Sequence, residues 1–314
     1  MMHAIFARFC TLLCLIAWLF AVHLPIPAAA APAAVDGTSL YAFGRHLLNI
    51  GDYYRAITEL KRFSLLFPQH PQYPVSQVLL GLAFQENDEI DNAIAQFQRL
   101  SKAHAQTDLD RLATFKLGEL RFFQQDYRLA STVFQRFLRR FPDGPLTDRT
   151  TYLLGLSLTL DGQEAQAQNV LNTLPVHTPW SEPATTLQQT LQTPPPTPLK
   201  STRTAGILAG ILPGAGHLYL GKPRHAITAF LLNSLFISGT VFAFLEGLEA
   251  TGLILLYFET GWYLGNINSA VEGANGYNLQ QQQARRDYLL STYAPSSLDL
   301  RQLQGPGIGL RLSF

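Results

Sequence analysis

The segment 216–222 has the spacing of a phosphate-binding loop. Its text, G-H-L-Y-L-G-K, fits G-x-x-x-x-G-K, a pattern whose backbone N–H groups cradle phosphates. Such a loop needs Ser or Thr after the lysine to hold magnesium. Here Pro223 follows Lys222 and offers no backbone N–H. The flanking text is apolar and helix-like, so the segment is predicted to separate two membrane-associated helices and to bind no nucleotide.

Other patterns that carry catalysis or ligand binding are absent from the sequence. It contains no H-E-x-x-H, no G-x-S-x-G and no pair of histidines at metal-ligand spacing. Its two cysteines, Cys10 and Cys14, both fall in an N-terminal apolar run. We therefore predict no catalytic residues, no cofactor and no metal site, and the protein is not predicted to be an enzyme.

The composition indicates membrane segments. Charged residues make up 14% of the chain, against about 25% in an average soluble protein. The net charge of +1 shows no basic excess, so a nucleic-acid partner is not predicted.

The N-terminus has the order of a secretory signal peptide, which we place at 1–30. Arg8 precedes an apolar run over 9–22, and four alanines follow at 28–31. The run is shorter than the roughly 20 residues that a span requires. An uncleaved anchor is the alternative. A cleaved signal would place the following domain in the periplasm.

The chain repeats itself every 37 residues. One ladder consists of glycines and a second of alanines, and small residues at both would let two antiparallel helices approach closely. Apolar residues at helical spacing, such as Phe43, Leu47, Ile57 and Leu60, are predicted to fill the space between the helices of the first pair. Helix pairs of this kind stack and leave a concave groove. The two ladders are Gly44, Gly81, Gly118 and Gly155, and Ala56, Ala93, Ala130 and Ala167.

Over 38–175 the repeats resemble the tetratricopeptide family, as the text G-D-Y at 51–53, Ala56 and Pro68 illustrates. The period of 37 is similar to the envelope repeats of the YbgF and BamD type. The resemblance implies an all-α fold, a tetratricopeptide-type helical-hairpin superhelix, with a groove that binds other proteins. Each groove residue has the alternative of merely packing on a neighbouring repeat. The implied groove residues are Tyr41, Arg45, Asn49, Gln85, Glu119, Phe122 and Tyr152.

After the repeats the character of the chain changes twice. Residues 176–203 are rich in Pro and Thr, which predicts an extended linker. Residues 225–247 and 250–270 are each apolar for about the length of a membrane span. A shorter apolar stretch, 204–220, is broken at Pro213 and is predicted to be one short helix. Together 204–280 would form a small transmembrane helical domain.

This membrane domain resembles small bacterial paired-helix domains with the motif P-G-x-G-x-x-Y-x-G, which have no characterised activity. In the second span Glu259 is an acid in predicted hydrocarbon, with possible partners on its own face and on the first span. It is either a functional intramembrane group or a structural one. Gly261 and Gly265 form a small-residue stripe suited to helix contact. The motif and polar residues are Pro213, Gly214, Gly216, His217, Tyr219, Gly221, Asn233, Glu259, Trp262, Tyr263 and Asn266.

Two topologies stay open in the sequence. A two-span hairpin would return residues 281–314, a polar tail, to the side of the repeats. If 204–220 also spanned, the tail would lie on the opposite side, and the positive-inside rule favours that arrangement. The alternating text at 306–314 predicts a strand that adds to a partner's sheet. The alternative is a disordered tail that ends in Phe by accident.

These features together predict a membrane-anchored envelope scaffold whose periplasmic repeats bind other envelope or membrane proteins. The bilayer would be its second contact. The alternative is an accessory subunit of a membrane transport or protein-insertion machine that uses Glu259.

Overall fold

The computed structural model describes residues 36–193 and 197–297, and all regular elements in these two ranges are helices. The all-α prediction is thereby confirmed. The signal peptide and the strand at 306–314 lie outside the described residues.

Eight helices correspond to the two helices of each 37-residue repeat. The chain divides into two compact units with the boundary between Gln96 and Phe97, inside the fourth helix. The eight helices are α1 Gly37–Asn49, α2 Tyr53–Leu66, α3 Tyr73–Glu86, α4 Ile90–Ala103, α5 Asp108–Phe123, α6 Tyr127–Arg140, α7 Thr147–Leu160 and α8 Glu164–Leu171.

In the first unit, α1 and α2 form an antiparallel hairpin around two small residues. A Cβ on Gly44 would lie 3.0 Å from the side chain of Leu60, and Ala56 is fully buried. Asp36 and Asp52 cap the two helices by accepting from Ser39 N and Arg55 N, which satisfies N–H groups that a helix start leaves free.

The prediction that Phe43 lies in the core of this hairpin is wrong. The side chain of Phe43 is 42% exposed, whereas Leu47, Ile57 and Leu60 are buried as predicted. Phe43 precedes Gly44 directly, and successive residues on a helix point about 100° apart. It therefore cannot share the inward face with the glycine.

In the second unit, the same contact between a ladder glycine and a large side chain of the next helix recurs in the third and fourth repeats. A Cβ on Gly118 would overlap the ring of Phe134, and one on Gly155 would overlap the side chain of Leu171. Each large partner stands sixteen residues after its glycine and four after the ladder alanine. The two ladders thus mark one contact, in which a large side chain of the second helix lies against bare backbone of the first.

The predicted extended linker contains a helix, α9, over Ser181–Gln192. Ala184, Leu187 and Leu191 are buried, and their spacing of three and four residues gives α9 an apolar face. Its Pro and Thr content masked this face in the sequence. Pro183 stands in the first turn, where a proline breaks no helical hydrogen bond.

The predicted single helix over 204–220 is two helices that reverse direction. α10 covers Thr202–Ile211 and α11 covers Ala215–Tyr219. Pro213 and Gly214 make the turn between them, and the backbone of Gly214 is left-handed, with φ 88°. Residues 216–219 of the apparent phosphate loop are therefore helical.

Two long helices complete the described chain: α12 over Pro223–Leu245 and α13 over Glu249–Tyr293. They pack as an antiparallel hairpin. Within the described residues only α12 is long and apolar enough, by length and composition, to cross a membrane. The predicted second span, 250–270, is the first half of α13. The helix does not end there, so residues 281–293 of the predicted polar tail are helical.

Candidate functional site

Three buried charged side chains of the third and fourth repeats lie together. Lys116 and Glu119 lie one turn apart on α5, and Arg149 comes from the first turn of α7. Lys116 Nζ donates to Glu119 Oε2 at 2.6 Å, and an Arg149 guanidinium nitrogen donates to Glu119 Oε1 at 3.1 Å. Glu119 is 1% exposed, so both ion pairs lie out of water. We call these three residues the buried ion triad.

The buried ion triad contacts the residues that follow α13. Arg149 donates to the carbonyl oxygen of Ser296 at 2.5 Å. The Ser297 hydroxyl donates to Glu119 Oε2 at 3.2 Å and lies 3.4 Å from Lys116 Nζ. One turn along α7, Tyr152 donates its hydroxyl to the carbonyl oxygen of Tyr293 at 2.7 Å. Residues 293–297, here called the 293–297 segment, therefore lie against the third and fourth repeats.

Aromatic rings frame this site. Trp180, just before α9, stacks on Tyr152 with ring centroids 5.2 Å apart. The Arg149 guanidinium lies 5.5 Å from the ring centroids of both Trp180 and Phe115, a cation–π arrangement. Burial raises the pKa of the Tyr152 hydroxyl, and the nearby Tyr293 raises it further. The Tyr152 hydroxyl therefore keeps its proton, and remains a hydrogen-bond donor, to higher pH than an exposed tyrosine.

The 37-residue period contains a signal for this site that the resemblance did not supply. One period away from Lys116 stand Leu79 and Leu153, and one period before Arg149 stands Leu112. Polar residues thus replace leucines at repeat phases that face inward. Glu119 was predicted as a groove residue, but these two cations, Trp180 and the 293–297 segment were missed.

The remaining groove prediction of the third repeat, Phe122, lies in its core. It is buried, with its ring 5.6 Å from Tyr127 and 5.4 Å from Phe123. Its packing within α5 and α6 leaves no face for a ligand. Of the three predictions in the second unit, Glu119 and Tyr152 are brought to one site and Phe122 is not.

The four groove predictions of the first unit have different surroundings. Tyr41 is buried against Phe63, with 5.6 Å between ring centroids, and burial raises the pKa of its hydroxyl. Arg45 lies over the Tyr41 ring at 5.9 Å, and Asn49 is exposed. Gln85 is half-buried and donates to Glu86 Oε1 at 3.1 Å.

The P-G-x-G-x-x-Y-x-G motif builds the reversal between α10 and α11. A Cβ on Gly214 would overlap the carbonyl oxygen of Ala226, and one on Gly216 would overlap that of Ala205. Gly221, with φ 75°, lets the chain turn into α12. His217 is buried, with its ring 6.0 Å from that of His225. The glycines here serve close backbone approach.

The reversal brings the start of α10 and the end of α11 together beside the same part of α13. Lys200 Nζ donates to the carbonyl oxygen of Tyr219 at 2.7 Å, and the Tyr219 hydroxyl accepts from Ser201 N at 3.0 Å. Asn278 of α13 accepts from the backbone N–H of Lys200 at 2.7 Å. Residues 202–220 therefore enter and leave at the same end of the hairpin.

Two polar residues of α13 that were predicted as site residues donate hydrogen bonds to the C-terminal end of α10. Tyr263 donates to the carbonyl oxygen of Gly210 at 2.9 Å, and Asn266 donates to that of Ala209 at 3.2 Å. The last carbonyls of a helix have no partner within it, and in hydrocarbon each would be costly. These residues therefore satisfy backbone groups of α10 and do not pair with Glu259.

Glu259 and Asn233 are both buried between α12 and α13, but Asn233, the possible partner on the first span, forms no hydrogen bond with Glu259. Asn233 Nδ2 donates to Ala229 O at 2.7 Å instead, and neither Glu259 carboxylate oxygen has a hydrogen-bond partner among the described residues. Trp262 packs edge-on against Phe236 at 4.4 Å. A Cβ on Gly261 or Gly265 would meet nothing within 4 Å, so the predicted small-residue contact is not made within the described chain.

Comparisons with known proteins support the repeats. A family model described as tetratricopeptide repeat matches residues 78–145 and, again, 115–168. Among solved structures, the chain is similar to a tetratricopeptide repeat protein from Parabacteroides merdae ATCC 43184, with 11% sequence identity and a TM-score of 0.43; the match covers 85% of this chain and 96% of that one. No curated protein matches the chain. The family match confirms the tetratricopeptide resemblance for 78–168, and the membrane-domain resemblance stays a prediction.

Proposed function

We propose that this protein is a non-enzymatic scaffold of the cell envelope, anchored in the membrane by its helical hairpin, whose repeats dock partner proteins. Tetratricopeptide repeats generally mediate binding to other proteins, and the family match covers the repeats that hold the site. The observation that carries the proposal is that this site binds the end of α13 through Tyr152 and the residues that follow it through Arg149 and Glu119.

The hairpin of α12 and α13 supports anchoring because its large apolar residues face outward and its small or polar residues face inward, the reverse of a water-soluble protein. Large apolar residues such as Leu231, Leu235 and Leu253 are each at least 60% exposed. The faces between the helices carry small or polar residues, including Thr240 and Gly252. A hairpin exposed to water would bury the large residues instead, whereas lipid favours this arrangement.

The reversal between α10 and α11 supports the two-span topology. α10 has 10 residues and is therefore about 15 Å long, about half of a hydrocarbon core. It returns to its starting level through α11, so it does not cross. The tail then emerges on the side of the third and fourth repeats, as the contacts of the 293–297 segment require.

We place that side in the periplasm. Lys200, Arg203, Lys222 and Arg224 flank the hairpin on the side of the repeats, while the opposite turn carries Glu246 and Glu249. Taken alone, the positive-inside rule would put the repeats in the cytoplasm. The predicted signal sequence ahead of them would be the first apolar segment to insert, and the first segment usually sets orientation.

A membrane-impermeant maleimide tests this placement in intact cells whose outer membrane has been permeabilised. Single cysteines would replace Asp143, which is exposed in the third repeat, and Glu249 in the opposite turn. The proposal predicts labelling of the first and protection of the second. The reverse pattern would move the repeats to the cytoplasm.

Partner docking itself is tested by photocrosslinking in intact cells. A photoreactive leucine analogue would replace Leu65 of the first repeat, Leu129 of the third repeat, or Leu253 of α13, which are all exposed. The two repeat positions are predicted to capture proteins, and Leu253, the matched control, to capture lipid. If both repeat positions capture no protein, the scaffold proposal fails.

The second candidate function, a transport or insertion subunit, is favoured by one observation. Glu259 is buried in the hairpin without a hydrogen-bond partner among the described residues, and such acids in membranes are often functional. A Glu259→Gln variant separates the two functions. The scaffold proposal predicts normal protein capture and unchanged partner activity, whereas the alternative predicts loss of the machine's activity at normal protein level.

A further inference from the structure

We propose that the 293–297 segment is an intramolecular ligand of the site formed by the third and fourth repeats, and that a partner's extended segment binds there only by displacing residues 294–297. The inference deepens the proposed function, because it rests on the same site being the docking surface. It adds that the site is closed in the resting chain and that partner binding is a competition.

The contacts suit a replaceable ligand because the repeats form hydrogen bonds to the main chain of the segment and to one hydroxyl group. Arg149 donates to the main-chain carbonyl oxygen of Ser296 at 2.5 Å, while Tyr152 holds the carbonyl oxygen of Tyr293, which stays with the helix. The Ser297 side chain has a described hydrogen bond to the repeats, with its hydroxyl between Glu119 and Lys116. An extended segment of another protein can offer the same carbonyl and hydroxyl groups.

The sequence after α13 is suited to being extended at this point. Ala294 precedes Pro295, and a residue before proline is driven out of helical geometry. Its backbone is accordingly extended, with φ −71° and ψ 122°. The helix therefore ends where it reaches the repeats, and the next residues present their carbonyls to Arg149.

The end of α13 is held in place independently of the buried ion triad. The Tyr293 hydroxyl lies 2.7 Å from Thr190 Oγ1 on α9 and 3.4 Å from the carbonyl oxygen of Thr186. Arg285 pairs with Glu164 of α8 at 2.8 Å. Residues 294–297 can consequently leave the site while the helix stays docked.

This anchoring makes the segment a strong competitor. A ligand tethered by a short flexible connection has an effective concentration on the order of 1 mM. A free peptide with the same contacts must exceed that concentration to displace it. Removing residues 294–297 while keeping Tyr293 should therefore expose the site and raise the affinity for a free peptide by at least about tenfold.

The test uses two chains that differ only in those four residues, one ending at 297 and the other at 293, both purified in detergent. The probe is a fluorescent peptide with the sequence of residues 291–299, S-T-Y-A-P-S-S-L-D, measured by anisotropy. We expect the chain ending at 293 to bind it at least about tenfold more tightly. The site control is the chain ending at 293 with Lys116, Glu119 and Arg149 all changed to Leu, which should not bind.

Three results would overturn the inference. These are equal affinity for the two chains, no binding to either, and unchanged binding to the triple-leucine control. The outcome is separable from that of the scaffold proposal. If photocrosslinking still captures partner proteins through the repeats, the scaffold proposal stands and only the self-occupied site is rejected.

Discussion

A single replacement of Glu119 tests the electrostatics of the buried ion triad. Glu119 accepts from Lys116 through one carboxylate oxygen and from Arg149 through the other. Changing it to Leu removes the carboxylate to which both cations donate, in a site that excludes water. Removing one partner of a buried ion pair costs about 3–5 kcal/mol.

The triple change of Lys116, Glu119 and Arg149 to Leu is the matched comparison. It removes the charges together and restores the residue type that neighbouring repeats carry at these phases, as at Leu79, Leu82 and Leu112. Replacing a whole buried ion group with apolar residues of similar volume is commonly neutral or stabilising. The loss of hydrogen bonds to Ser296 and Ser297 offsets this by about 1 kcal/mol each. We expect the triple variant to be much closer to the wild type than Glu119→Leu.

Thermal unfolding of the detergent-solubilised chain, followed by far-ultraviolet circular dichroism, measures the difference. At about 2–4 °C per kcal/mol for a unit of this size, Glu119→Leu should lower the midpoint by about 6–20 °C. If the triple variant unfolds at or below the temperature of the single variant, charge is not what Glu119 supplies. The reasoning would then be refuted, and shape would be the remaining explanation.

Three further predictions follow from individual contacts. Gly118→Ala would drive a Cβ into the Phe134 ring and should destabilise the third repeat by about 1–3 kcal/mol. The control Gly261→Ala, whose Cβ meets nothing within 4 Å, should leave the melting temperature unchanged or raise it, because alanine is favoured over glycine in a helix interior by about 0.5–1 kcal/mol. Equal effects of the two changes would argue against the ladder contact. Tyr263→Phe removes the donor to Gly210 O and should cost about 1 kcal/mol, seen as a lower melting temperature in detergent; no change would mean that this carbonyl has another partner. The raised pKa of Tyr152 means that the folded state favours the neutral hydroxyl, so its contribution is fully present below the unfolded pKa of about 10.0 and is lost as pH rises above it; Tyr152→Phe should lose less stability than the wild type in alkaline denaturation, and an identical loss would contradict this assignment.

The local elements of this protein were determined by its sequence. Glycine and alanine at a period of 37 specify helices that approach closely, because only small residues permit it, and Gly118 and Ala130 stand at that contact. The apolar run that forms α12 could likewise be predicted from the sequence, because its length matches the thickness of a bilayer. Such features depend on neighbours a few turns away, which a single sequence displays directly.

Elements whose stability comes from distant contacts were not predictable in this way. The segment that forms α9 was predicted to be a linker, because its apolar face consists of only three residues and its composition is that of a spacer. The second half of α13 looked like a tail, because its helix is held by residues such as Glu164, 121 positions away from Arg285. Neither partner carries a local sign of the other.

The tertiary structure alone decided what occupies the site. Glu119 was predicted as a groove residue from the tetratricopeptide resemblance, but its contact with Ser297 joins positions 178 residues apart. That contact exists because α10 and α11 turn back at Pro213 and the hairpin of α12 and α13 returns the chain to the repeats. The sequence determines each of these turns locally, whereas the meeting of 293–297 with the buried ion triad depends on all of them together.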